Sequence, residues 1–103
     1  MADWTLVGKL SEIPRLTARV VETALGPVAV FRTDDDRVFA LLDSCPHRQA
    51  PLSFGVVRDH IVVCPFHHWS IDLETGAALA PDHGSTPCFA VKIEQDQVWL
   101  QNE

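Results

Sequence analysis

The stretch CPHRQAPLSFGVVRDHIVVCPFHHWSIDLETG, residues 45–76, holds two of the chain's three cysteines, and its reading decides the rest. It carries Cys-x-His at Cys45 and His47, then sixteen residues, then Cys-x-x-His at Cys64 and His67. Pro46 and Pro65 fix φ inside each knuckle, so four potential ligands are partly ordered before any metal arrives. Ser53-Phe54-Gly55 reads as a turn followed by strands. A hairpin there returns the chain and sets the two knuckles side by side.

Outward from this block the chain is strand-like. WTLVGKL, ARVVETAL, PVAVFRT and RVFALLD alternate or cluster apolar residues, with Gly26-Pro27 and TDDDR (33–37) as turns between them, which predicts an antiparallel meander. The run Asp34-Asp35-Asp36 reads as solvated hairpin-loop acids, and SEIP (11–14) as a single helical turn. CFAVKIE (88–94) and QVWLQ (97–101), joined by Gln95-Asp96, predict a terminal hairpin. No segment sustains a 3.6-residue period. The expected fold is all-β, a small sandwich or barrel with a metal-binding subdomain of two hairpin loops.

Length and composition set the outer limits. At 103 residues, 47% hydrophobic and 21% charged, the chain is expected to form one globular domain, 1–103. The start, MADWTLVGKLSE, has no apolar run of signal length, and no stretch approaches the roughly 20 apolar residues of a membrane span, so the expected location is the cytoplasm, with no membrane partner. Three cysteines without an export signal favour thiolates available as ligands over a disulfide framework. A formal net charge of -6 argues against nucleic acid as a partner. It suits an acidic electron carrier meeting a basic surface, and equally suits plain solubility.

Two metal readings compete for the four donors. A single zinc ion takes Cys₂His₂ tetrahedrally and is purely structural. A diiron cluster with two thiolates on one iron and two imidazoles on the other uses the same residues. Common zinc fingers pair Cys with Cys and His with His, whereas each loop here offers one of each, which favours the diiron site.

With its flanks, CPHRQAPLSFG and CPFHHWSIDLETGAALAPD, the pattern resembles the Rieske [2Fe–2S] domain, and the likeness runs over nearly the whole chain. The resemblance implies a [2Fe–2S] cluster bound within a region of about 43–83, with Cys45 and Cys64 on the inner iron and His47 and His67 on the outer, solvent-facing one. Pro81 then belongs to a third loop covering the cluster. His68, where relatives often carry glycine, is expected as an exposed or supporting imidazole. His60 and His83 are expected on the surface, and Cys88 as a small buried hydrophobe.

Respiratory and photosynthetic members add a disulfide between the loops and a serine and a tyrosine that hydrogen-bond the cluster and its cysteine. Here those positions are Ala50 and Phe66, then Trp69 and Ile71, with Ser70 one place from the usual serine. Fewer donors leave more charge on the sulfurs, so the resemblance implies a potential in the low part of the Rieske range, roughly -150 to 0 mV. Low-potential single-domain members serve either ring-hydroxylating oxygenases, with an oxygenase and its reductase as partners, or the assimilatory NAD(P)H-dependent nitrite reductase. The latter's large subunit carries FAD, a [4Fe–4S] cluster and sirohaem. HHWSIDLETGAALAPDHG (67–84) is similar to the nitrite reductase small subunit, which makes one-electron transfer in support of nitrite reduction to ammonium the leading expectation.

Overall fold

A computed structural model describes residues 4–45, 51–64, 68–79 and 84–101. Among these residues ten strands run in the order β1 (Trp4–Lys9), β2 (Thr17–Thr23), β3 (Gly26–Arg32), β4 (Val38–Leu42), β5 (Val56–Arg58), β6 (Ile61–Val63), β7 (Ser70–Asp72), β8 (Cys88–Phe89), β9 (Val91–Glu94) and β10 (Gln97–Gln101). Two short 3₁₀ turns, Leu10–Glu12 and Leu52–Phe54, are the helical elements among the described residues. No helix among them is long and apolar enough to cross a membrane.

The strands form three antiparallel sheets: β1-β10-β9, β2-β3-β4-β8 and β5-β6-β7. The expected meander is β2-β3-β4, and the expected terminal hairpin is β9-β10. Gln95 and Asp96 lie at φ 51° and 64°, the positive φ at both central residues that a two-residue type I′ turn needs. The expected run 88–94 is divided. Cys88–Phe89 pairs with β4 in the middle sheet, whereas Val91–Glu94 pairs with β10, so the chain changes sheets at Ala90.

PVAVF in β3 is apolar on both faces because both are covered. Val28 and Val30 face one core with Val7, Ile13, Val98 and Leu100 of the β1-β10 side. Ala29 and Phe31 face the other, with Leu41, Leu52, Val62, Ile71 and Leu73. Each of these β3 side chains is fully buried, and a strand sandwiched this way reads as a continuous apolar run. Burying one such side chain is worth about 1.5–3 kcal/mol. The middle sheet is therefore a shared wall, and the insertion between β4 and β8 is packed onto one side of it.

The Asp34-Asp35-Asp36 turn is more than solvated. Asp36, at φ 63°, accepts from the Arg15 guanidinium at 2.8 and 3.0 Å and from Arg32 at 2.7 and 3.1 Å. The hydrogen bonds from Arg15 and then Arg32 hold its carboxyl down at about 2. Arg32 also donates to the Leu10 and Ile13 carbonyls at 3.0 and 2.8 Å, tying the first 3₁₀ segment to β3.

Candidate metal centre

Cys45 follows β4 by three residues and Cys64 follows β6 directly. Both side chains are 1% exposed, and both belong to the same core cluster. The first knuckle is closed at its base by Asp43, whose carboxylate accepts the Ser53 N–H at 2.7 Å and the Ser53 hydroxyl at 2.8 Å. The Asp43 N–H in turn donates to the Pro27 carbonyl at 2.8 Å. A carboxylate on β4's trailing end thus clasps the 3₁₀ turn that leads into β5.

The second knuckle closes on itself. The Cys64 N–H donates to the Trp69 carbonyl at 2.7 Å, and the His68 N–H donates to the Cys64 carbonyl at 3.1 Å. His68 sits at φ 58° and is exposed, which explains why glycine suits this position and agrees with the expectation of a solvent-facing imidazole. Trp69 packs against the core that holds both cysteines.

A third segment reaches the same end. Leu79 N–H donates to the Ser70 carbonyl at 2.9 Å, and Ala78 N–H to the Gly84 carbonyl at 2.9 Å, so both stems of the 80–83 stretch emerge beside the second knuckle. The β5-β6 register, with Val56 opposite Val63, puts the start of β5 there as well. Gly55 just before it has no room for a side chain: a Cβ would lie 2.4 Å from the Val63 carbonyl oxygen and 3.0 Å from that of Leu52.

The two expected thiol donors therefore share one buried cluster, Cys64 at the end of β6 and Cys45 past the end of β4, where Asp43 holds Ser53 just ahead of β5. His47, His67, Pro46, Ala50, Pro65, Phe66, Pro81 and His83 lie outside the described residues. Two cysteines in one buried cluster fit the sulfur half of a [2Fe–2S] donor set, which needs soft thiolates on one iron.

Two expectations are corrected. Cys88 is exposed, because on β8 it is Phe89 that turns toward the core and the alternation sends Cys88 outward. His60 is only 27% exposed at its side chain and is held between Asp35 and Glu74, not free on the surface. The Asp43–Ser53 clasp has no signal in the sequence: the two residues are ten apart, and nothing local links them. Asp43→Ala is expected to destabilise the fold by about 2 kcal/mol, the loss of two bonds to a charged acceptor, with Asp43→Asn recovering part. Thermal unfolding checks the first number, and the rate of bleaching in chelator shows that the clasp holds the first knuckle.

Comparison with known proteins agrees with this arrangement. Residues 3–90 match the Rieske [2Fe–2S] domain. The anthranilate 1,2-dioxygenase ferredoxin subunit of Burkholderia cepacia is 35% identical over 99 residues, 95% of this chain and 91% of that protein. A chain from the complex of reduced oxygenase and oxidized ferredoxin in carbazole 1,9a-dioxygenase superposes with a TM-score of 0.86 at 29% identity, covering 97% of this chain and 94% of that one. A candidate NADH-dependent nitrite reductase small subunit from Mycobacterium tuberculosis superposes with a TM-score of 0.88 over 100% of this chain and 97% of that one, at 23% identity, a likeness of fold. With residues 3–90 matching that domain and a relative 35% identical across 95% of this chain, the chain belongs to the Rieske [2Fe–2S] domain family and is an electron carrier with a Rieske-type [2Fe–2S] cluster.

Proposed function

We propose that this chain is the ferredoxin component of a multicomponent oxygenase, receiving electrons from a reductase and delivering them singly to an oxygenase. The observation that carries this reading is the 35% identity to a dioxygenase ferredoxin across 95% of this chain and 91% of the relative. Cys45 and Cys64 are the thiolate ligands in this reading, and His47 and His67, next in each knuckle, the imidazole ligands. The cluster, when bound, supplies a reversible one-electron couple. The protein's own contribution is to hold the donors at one end of a single domain and to keep the thiol side dry, with both cysteines inside the core.

Docking falls to the same end. Phe54 is 76% exposed and Val56 66%, and the register places Val56 beside the residue that precedes Cys64. An exposed aromatic and a branched residue there are suited to anchor a partner. The proposed setting is cytoplasmic, with protein partners and neither nucleic acid nor membrane.

A second reading keeps the chain as the small subunit of an NAD(P)H-dependent nitrite reductase, docked on a large subunit bearing FAD, [4Fe–4S] and sirohaem. What favours it is the stretch 67–84 together with the fold likeness at 23% identity. Reoxidation of the pre-reduced protein separates the two. Fast reoxidation is expected with a ring-hydroxylating oxygenase plus aromatic substrate and oxygen, and reoxidation only by a sirohaem protein plus nitrite overturns the proposal. The double variant Phe54→Ser, Val56→Ser is expected to raise KM for the carrier about tenfold, the equivalent of about 1.4 kcal/mol of lost contact, with the potential unchanged.

A further inference from the structure

At the end of the β5-β6-β7 sheet away from the cysteines, three segments meet at one imidazole. His60 lies in the turn between β5 and β6, where Arg58 pairs with Ile61. Its Nε2 is 3.0 Å from Asp35 Oδ2 and 3.3 Å from Oδ1, and Asp35 belongs to the turn between β3 and β4 of the middle sheet. Its Nδ1 is 3.3 Å from Glu74 Oε2, in the turn after β7. The His60 carbonyl accepts the Leu73 N–H at 2.9 Å, which fixes the backbone beneath the ring.

A neutral imidazole has one N–H and one lone pair. Placed between two carboxylates, it satisfies one and presents its lone pair to the other. Only the imidazolium donates from both nitrogens, so the geometry itself selects the charged ring. The surroundings agree. Asp34, Asp59 and Asp72 line the same shallow groove as Asp35, Glu74 and His60. The opposing cation is Arg37, whose guanidinium lies 5.3 Å from the centroid of the Phe39 ring that His60 also rests on, at 5.2 Å. Asp35 in turn accepts a hydrogen bond from the buried Thr33 hydroxyl.

We infer that His60, as imidazolium, is a clamp that fastens the cluster-bearing sheet to the β3-β4 turn and slackens when it gives up its proton. The hydrogen bonds to Asp35 and then Glu74 raise the His60 value above the ordinary histidine one, and Asp35 is correspondingly lowered, first by Thr33 and then by His60. For a group raised in the folded state the contribution is fully present below the unfolded value of about 6.5 and is lost as pH climbs through the folded value. The clamp is therefore closed below about pH 6.5 and opens as pH rises through the raised folded value.

The test uses the cluster-loaded protein. An NMR titration of the His60 ring is expected to give a midpoint above about 6.5, displaced downward in Asp35→Asn and again in Glu74→Gln. Amide protection across 59–61 and 73–75, corrected for intrinsic exchange, is expected to fall several-fold between about pH 6 and about pH 9 in the wild type and to be flat in His60→Gln. A midpoint at or below 6.5, or an equal pH dependence in His60→Gln, overturns the inference. Should His60→Gln not fold, the two carboxylate variants give the same decision: an unmoved midpoint in both overturns it.

Discussion

Replacing Cys64 with serine is expected to give a colourless protein. The wild type should purify red-brown, with iron and acid-labile sulfide in equal amounts, and reduce to a species whose g values average near the value of a Rieske centre. Serine is a harder donor whose hydroxyl does not ionise near neutral pH, so it does not replace a thiolate on iron. Cys64 is 1% exposed within a core that also holds Cys45, so neither water nor a neighbouring cysteine takes its place. Cys45→Ser should behave alike. Cys88→Ser is the control: this thiol is exposed on β8 and its loss should leave iron content and colour intact. Metal analysis also settles the zinc reading of the same ligand pattern, because a colourless wild type with one zinc and no sulfide removes the electron-carrier assignment at once.

The largest purely structural effect is expected at Gly76. Its φ is 80°, and a Cβ there would sit 2.1 Å from the Thr86 carbonyl oxygen. That oxygen cannot retreat, because Thr86 is 4% exposed and its own N–H donates to the Gly76 carbonyl at 2.9 Å. The left-handed conformation costs a residue with a side chain about 1–2 kcal/mol, and forced overpacking against fixed backbone about 1–3 more. Gly76→Ala should therefore cost about 2–5 kcal/mol, which for a domain of this size lowers Tm by ~10 °C or more. A shift of one or two degrees by scanning calorimetry would show that the Gly76–Thr86 contact is not the tight crossing described.

Local signals account for what the sequence disclosed. The cysteine and histidine spacing pointed to the family, Gln95-Asp96 marked a turn that is present, and the apolar runs became strands; the turn expected at Gly26-Pro27 falls instead at 24–25, with Gly26 and Pro27 already paired in β3. What escaped depends on partners distant along the chain. Asp36 looks like one of three solvated acids until Arg15, twenty-one residues away, is brought onto it. His60 looks like a surface histidine until Asp35 and Glu74, separated from it by 25 and 14 residues, close on both nitrogens. Cys88 reads as buried because CFAVKIE (88–94) reads as one alternating strand with an apolar start. Nothing in its pattern says that the chain leaves one sheet for another at Ala90. The leaning toward nitrite reductase rested on the turn and proline stretch after the second knuckle, a region shared with ferredoxins, and identity over the whole chain now weighs toward the oxygenase carriers.

The wall formed by β3 and β4 has a consequence for any attempt to simplify the molecule. Because Ala29, Phe31 and Leu41 point into the β5-β6-β7 side while Val28, Val30 and Ala40 point the other way, the redox module is not an appendage. Cutting it out strips one flank of the scaffold down to naked hydrocarbon, an invitation to self-association. A lineage that abandons iron is free to discard the ligands, yet it must keep the three small strands as upholstery.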